Sequence, residues 1–205
     1  MSGKVNSLRP RLGTLFSNFF RREKFYVLEK TLVDACSEIE PKVKVDVRLF
    51  HRDDLPKNAK FKLGIDGDEK FGTNDMCATA EIHGELVHWS WVAFNEAYVG
   101  EIERKIRINS DSAYVYAVYT AQEYRGLGIA SKAMEKICDY LYEMGVRKVY
   151  LYTRHDNFPM LRVAHKAEYQ KIGTMRFIKV CKLKLYRCKG ETEKDQDTLT
   201  RMLSI

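Results

Sequence analysis

The chain predicts a mixed α/β fold, on three observations. Short runs rich in Val, Ile, Tyr, Phe and Trp recur along it, the stretch from Ile129 to Gly145 has helical periodicity, and the links between them are brief and polar. Its 205 residues, 45% of them hydrophobic, suffice for one domain with a substantial core. No apolar run reaches membrane-spanning length, and no cleavable signal pattern stands at the start. The five cysteines, at 36, 77, 138, 181 and 188, include no close CxxC pair. That argues against a zinc site or a disulfide framework and predicts a reduced, cytoplasmic protein without a bound metal.

Three segments are expected: a basic amphipathic segment over 1–24, a folded domain over 25–189 and a polar tail over 190–205. In the first, Leu8, Leu12, Leu15, Phe16, Phe19 and Phe20 recur on one helical face, although Gly13 weakens a helix there. The segment carries six basic side chains against Glu23 alone, out of a net charge of +7. Such a helix suits peripheral contact with an anionic membrane surface, and it equally suits docking on the domain itself or on a second subunit of a homodimer. The remaining charge is small and no recognition helix or RNA-binding motif is present, so no nucleic-acid partner is expected.

Along the domain, Lys24–Leu32 and Lys44–Phe50 read as strands, and 51–63 as holding a short helix. Residues 64–75 read as a loop rich in Gly and acid, whose Asp66-Gly67-Asp68-Glu69 lacks the remaining ligands of a calcium-binding hand. Cys77–His83 and Glu85–Phe94 are two strands joined at Gly84, and Ile102–Ile108 alternates as a further strand of the sheet. After the turn Asn109–Ser112, Ala113–Thr120 has the aromatic and β-branched content of a central strand. Ala130, Ala133, Met134, Ile137 and Leu141 then recur at helical spacing, with Gly145 as the C-terminal stop. Val146–Thr153 is the next strand. Asn157 caps a helix with Pro159 in its first turn, and strands are expected at 169–173 and 178–187. In the polar tail only Leu199, Met202 and Leu203 can anchor.

The segment carrying chemistry is Tyr124-Arg125-Gly126-Leu127-Gly128-Ile129-Ala130-Ser131, between the central strand and the long helix. A helix that starts there turns its free first-turn amides and the positive end of its dipole toward the strand's end, where an anionic group can sit. Gly126 and Gly128 permit close backbone approach, and Arg125 adds a fixed positive charge. The Gly-x-x-x-x-Gly-Lys-Ser/Thr spacing of a nucleotide-binding P-loop is absent, and the third glycine of a dinucleotide fingerprint is missing.

What remains is Arg125-x-x-Gly128-x-Ala130, and with it the sequence resembles the GNAT superfamily of acyl-CoA-dependent N-acetyltransferases. The strand, loop, helix, strand and Asn-initiated helix follow the family's order. The likeness runs from about Val45 to Arg187 and is strongest over 113–173. It implies a mostly antiparallel central sheet flanked by helices, with the amphipathic N-terminal helix as an addition. It also implies acetyl-CoA or another acyl-CoA as co-substrate, and direct acyl transfer to a primary amine. By the same resemblance Arg125, Gly126, Leu127, Gly128, Ile129, Ala130 and Ser131 form the coenzyme loop. Val118 and Thr120 lie on the strand that pairs with pantetheine, and Asn157 meets the coenzyme near its thiol.

The catalytic pair is less well marked. The tyrosine that often acts as acid falls at Ala164, the glycine of the usual Lys-Leu-Gly-Phe ending is Glu168, and a strand glutamate used as base falls near Tyr116. Candidate replacements are Glu81 and His88, on the strand pair bordering the acceptor cleft, and Tyr119, whose hydroxyl could serve the departing thiolate. Trp89 and Trp91 share a strand face, as pocket wall or as core, and His165 is expected to face solvent. A small-molecule acceptor such as an amino sugar or amino acid is favoured by the resemblance. Acylation of a protein lysine or N-terminus, and a sensor that binds acyl-CoA without transfer, are the alternatives.

Overall fold

The computed structural model describes residues 20–34, 36, 38–55 and 74–204. Among these residues ten strands and three α-helices follow one another: β1 (Phe20–Thr31), β2 (Asp46–His51), β3 (Met76–Ile82), β4 (Glu85–Ala93), β5 (Glu96–Val99), β6 (Arg104–Arg107), β7 (Ser112–Thr120), α1 (Ile129–Glu143), β8 (Lys148–Arg154), α2 (Phe158–Lys166), β9 (Gln170–Val180), β10 (Leu183–Gly190) and α3 (Glu193–Met202). Eight strands make one sheet in the order β10-β9-β1-β8-β7-β4-β3-β2, and β5-β6 is a separate ribbon. Every neighbouring pair is antiparallel except β7 and β8, which α1 links as a crossover.

Over its central strands the sheet is buried on both faces. Met134, Ile137, Cys138 and Leu141 along α1 pack with Ala164 of α2 against Leu28, Ala78, Val92, Val115 and Leu151. This helical spacing matches the strand faces beneath it. On the other face Phe25, Tyr114, Tyr150 and Phe177 meet Val99 and Ile106 of the ribbon, Ile102 of the turn between its strands, and Leu199 of α3.

Five expectations need correction. Residues 20–24 belong to a strand: Phe20, Arg22 and Lys24 pair with Val180, Ile178 and Arg176 of β9, so a two-residue period overrides the helical one. Residues 1–19 of the expected N-terminal helix lie outside the described residues, as do 56–73. Of the helix expected at 51–63, the described part is a 3-10 turn at Arg52–Asp54. Ile102–Ile108 does not extend the main sheet, because its partner is Glu96–Val99 in the ribbon. The expected strand at 178–187 is broken by a turn at Cys181, whose φ is +55°, and becomes the β9–β10 hairpin. The tail is not featureless. Thr192 and Asp195 form a reciprocal capping box that starts α3, and Leu199 is buried, as anticipated for an anchor.

Candidate active site

The site begins at a defect in β7. Its register with β4 runs Val92↔Val115, Trp91↔Tyr116, then Trp89↔Tyr119 and His88↔Thr120, so one extra residue is inserted between Tyr116 and Tyr119. Ala117 sits there with φ +46°. On its other side β7 pairs with β8 only from Ser112↔Lys148 to Val115↔Leu151. Beyond Val115 the two parallel strands part while β7 stays attached to β4, and a gap opens.

The glycine loop and α1 face this gap. Gly128 is the N-cap at φ +86°, and having no side chain it leaves the first amides of α1 uncapped. A Cβ at Gly128 would stand 3.1 Å from Cα of Pro41. The nearby Lys42 N–H donates to the Leu127 carbonyl at 2.8 Å, which ties the loop to the segment before β2. Arg125 Nε donates to the Thr120 carbonyl at 2.9 Å, fixing the guanidinium at the end of β7.

Together these elements enclose a cleft of about 510 Å³. Val118, Thr120, Arg125, Gly126, Gly128, Ile129, Ala130, Ser131 and Asn157 all line it, as does Tyr119. Leu127 does not: its side chain packs against the buried cluster of Ala80, Val87 and Ile129. Asn157 caps α2 by accepting from the Met160 N–H at 3.3 Å.

The sequence reading missed the α2 wall, namely Pro159, Met160, Arg162, Val163 and Lys166, and also Tyr124. The signal was present, because 159, 162, 163 and 166 recur on one helical face beginning at the Asn157 cap. Among the described residues of the lining, Arg125, Arg162 and Lys166 are charged and none is acidic. With the uncapped amides of α1, these side chains give the cleft a positive electrostatic character.

The three candidate catalytic residues fall in different places. Tyr119 is 41% exposed, stacks on Trp89 with ring centroids 4.2 Å apart, and has the Arg125 guanidinium 5.9 Å from its ring. Glu81 is half-buried beside Asp46 of β2 and does not line the cleft. His88 is fully buried, with Nδ1 2.8 Å from Thr120 Oγ1 and Nε2 2.8 Å from Ser90 Oγ. Burial pushes its pKa down to about 4, so the ring is neutral at pH 7 and touches the cleft only through Thr120.

Two substituted positions are accounted for. Glu168, at the place of the glycine, has φ +62° and its carboxylate accepts from Lys30 Nζ at 3.1 Å. Tyr116 donates to the buried Asp75 carboxylate; burial, with Asp75 beside it, holds the phenol far above its usual pKa. His165 is exposed as anticipated, Trp91 is core and Trp89 is half-buried. No cluster of metal-ligating side chains occurs among the described residues.

Comparison with known proteins converges on one family. The acetyltransferase (GNAT) family profile matches residues 50–169. No curated protein matches the sequence. Among solved structures, a GNAT-family acetyltransferase of Novosphingobium aromaticivorans superposes with a TM-score of 0.53 at 18% identity, over 84% of this chain and 66% of that one. A GCN5-related N-acetyltransferase of Sphaerobacter thermophilus gives 0.55 at 14%, over 87% and 55%. A glucosamine N-acetyltransferase region of a fungal multi-domain GH3 β-N-acetylglucosaminidase gives 0.52 at 16%, over 81% and 22%. The chain thus spans less than two thirds of the length of each of these, and at such identities the likeness is one of fold.

Proposed function

The chain belongs to the GNAT acetyltransferase family, and from that premise we propose that it transfers an acetyl or other acyl group from acyl-CoA to the primary amine of a small molecule. The observation that carries this reading is the gap where β7 leaves β8 after Val115, facing the uncapped start of α1. In this reading the pyrophosphate sits on the amides of Ile129, Ala130 and Ser131, with Arg125, Arg162 and Lys166 balancing its charge. Pantetheine runs along Val118 and Thr120, and the thioester ends near Asn157 and Tyr119. The cleft volume lies within the usual range for a bound organic ligand, roughly 300–1,000 Å³.

The acceptor attacks as a neutral amine. The N–C bond forms at the thioester carbonyl, negative charge gathers on its oxygen, and backbone N–H groups past the β7 bulge are the donors within the gap. The C–S bond then breaks. A thiol of ordinary pKa, about 8.5, leaves as thiolate with modest assistance, and the Tyr119 hydroxyl is the side chain placed to give it. Among the described lining residues no carboxylate or imidazole is present to act as base, so the amine's proton passes to water. Tyr119, stacked on Trp89, offers the cleft an aromatic side chain of the kind against which the apolar face of a sugar or amino acid packs. That supports a small acceptor.

The lack of a carboxylate or imidazole in the described lining also favours a second reading, a sensor that binds acyl-CoA without transfer. Calorimetric titration with acetyl-CoA, followed by thiol release over a panel of amino sugars, amino acids and peptides, separates the two. Acceptor-dependent release establishes transfer, and binding without release establishes the sensor. Arg125→Glu is expected to weaken acetyl-CoA binding at least about ten-fold through charge repulsion at the loop; unchanged affinity would remove the loop from the coenzyme site.

A further inference from the structure

The first half of β1, with β9 and β10, leaves one sheet face bare of any described helix. Cross-strand partners share a face. The register therefore puts Phe20, Val180 and Leu183 in one row beside the Cys181–Lys182 turn, and Arg22, Ile178 and Leu185 in the next. Lys24, Arg176 and Arg187 form the third row, and Tyr26, Thr174 and Lys189 the fourth. The opposite face of the same strands carries Phe25, Met175 and Phe177 and is core. On the bare face Phe20, Leu183 and Leu185 are 57%, 61% and 52% exposed. Side chains of that size in a contiguous cluster are what a soluble surface avoids.

Its charges are equally one-sided. None of the four rows holds an acid, and Arg22, Lys24, Arg176, Arg187 and Lys189 make no ion pair among the described residues. On the core side of the same strands, by contrast, Lys179 and Lys184 are both neutralised by Glu103, at 2.7 and 2.9 Å. An apolar tip with unpaired cations behind it is the layout of an interfacial anchor. Apolar side chains enter the boundary of the acyl region while cations meet the phosphates. Leu183 and Arg187 lie four residues apart on one strand, roughly 13 Å, which spans from acyl boundary to headgroup layer.

We propose that this face docks the protein on an anionic lipid membrane. Other occupants fit less well. A two-fold pairing of the face with a second copy would bury cations of both copies in an interface to which neither face brings an acid. Residues 1–19 contain three basic side chains and no acid, so laying them over the face would again set cations on cations. A nucleic acid would use the cations and has no use for the apolar tip.

The test is co-sedimentation of the full chain with vesicles of equal parts phosphatidylcholine and phosphatidylserine, against pure phosphatidylcholine, at low and high salt. The protein is expected to bind the anionic vesicles, to be released by salt, and to leave the neutral ones. L183D/L185D and R176E/R187E alter exposed side chains, so their unfolding midpoints should match the wild type. Each should lower the partition at least about ten-fold, since one surface cation counts for about five-fold. Wild-type-like binding by both variants would overturn the proposal and leave residues 1–19 as the anchor. Absence of lipid preference would overturn it too, and so would a dimer that L183D/L185D converts to monomer with no vesicle binding in either form.

Discussion

At the residue scale, His88 shows how a strand histidine that reads as a catalytic base becomes a buried strut. Both ring nitrogens are taken by the hydroxyls of Ser90 and Thr120, and the neutral form is held by burial. The folded-state pKa, about 4, lies below the unfolded value of about 6.5, so the unfolded chain binds the extra proton between those two pH values. The stability His88 permits is whole above pH 6.5 and is lost as pH falls toward 4, by on the order of 3 kcal/mol in all. Denaturant titrations of wild type and His88→Gln across pH 4–7 should show this slope in the first and a flatter profile in the second. Equal slopes would place the titration on another group. Nothing in the spacing of His88 separated a buried histidine from a reactive one, because the difference lies in a neighbour, Thr120, 32 residues further along the chain.

At the element scale, the strand–loop–helix unit from β7 to α1 was legible because its constraints are local. A helix start with no capping side chain, a residue at positive φ and an adjacent arginine all follow within six positions. The two glycines nevertheless differ in duty. Gly126 and Gly128 both have positive φ, but a Cβ at Gly126 meets nothing within 4 Å, whereas one at Gly128 meets Pro41. Gly126→Ala is expected to cost about 1 kcal/mol, from backbone strain alone. Gly128→Ala should cost about 1–2 kcal/mol more and displace the 41–42 segment that braces the loop. Thermal or denaturant unfolding of the two variants decides this, and equal losses would deny Pro41 its bracing role. The boundaries that failed, at 20–24 and around 181, were set by pairing with distant strands.

At the scale of the whole molecule, β1 matters most, because it is the first described strand and yet lies inside the sheet between β8 and β9. The last element is equally engaged. Leu199 of α3 sits where a Cβ on Gly173 would come within 2.5 Å of its Cδ1, so helix and sheet are in direct contact there. Leu199→Ala is expected to destabilise the fold by about 2–4 kcal/mol, and removal of residues 191–205 by more; a stable truncated protein would show α3 to be an ornament. Through the periodicity of its residues the sequence by itself determined the mixed fold, most of the strands and the position of the glycine loop. These are properties of neighbouring residues, which alternate every two or recur every 3.6 positions. Only the tertiary structure decided that β7 bulges and parts from β8, that Arg162 and Lys166 join Arg125 around one cleft, that His88 is sealed, and that one sheet face is left apolar and cationic. Each of these depends on which strand lies beside which, and register between segments distant in the chain is set by the packing of the whole core rather than by any local run of residues.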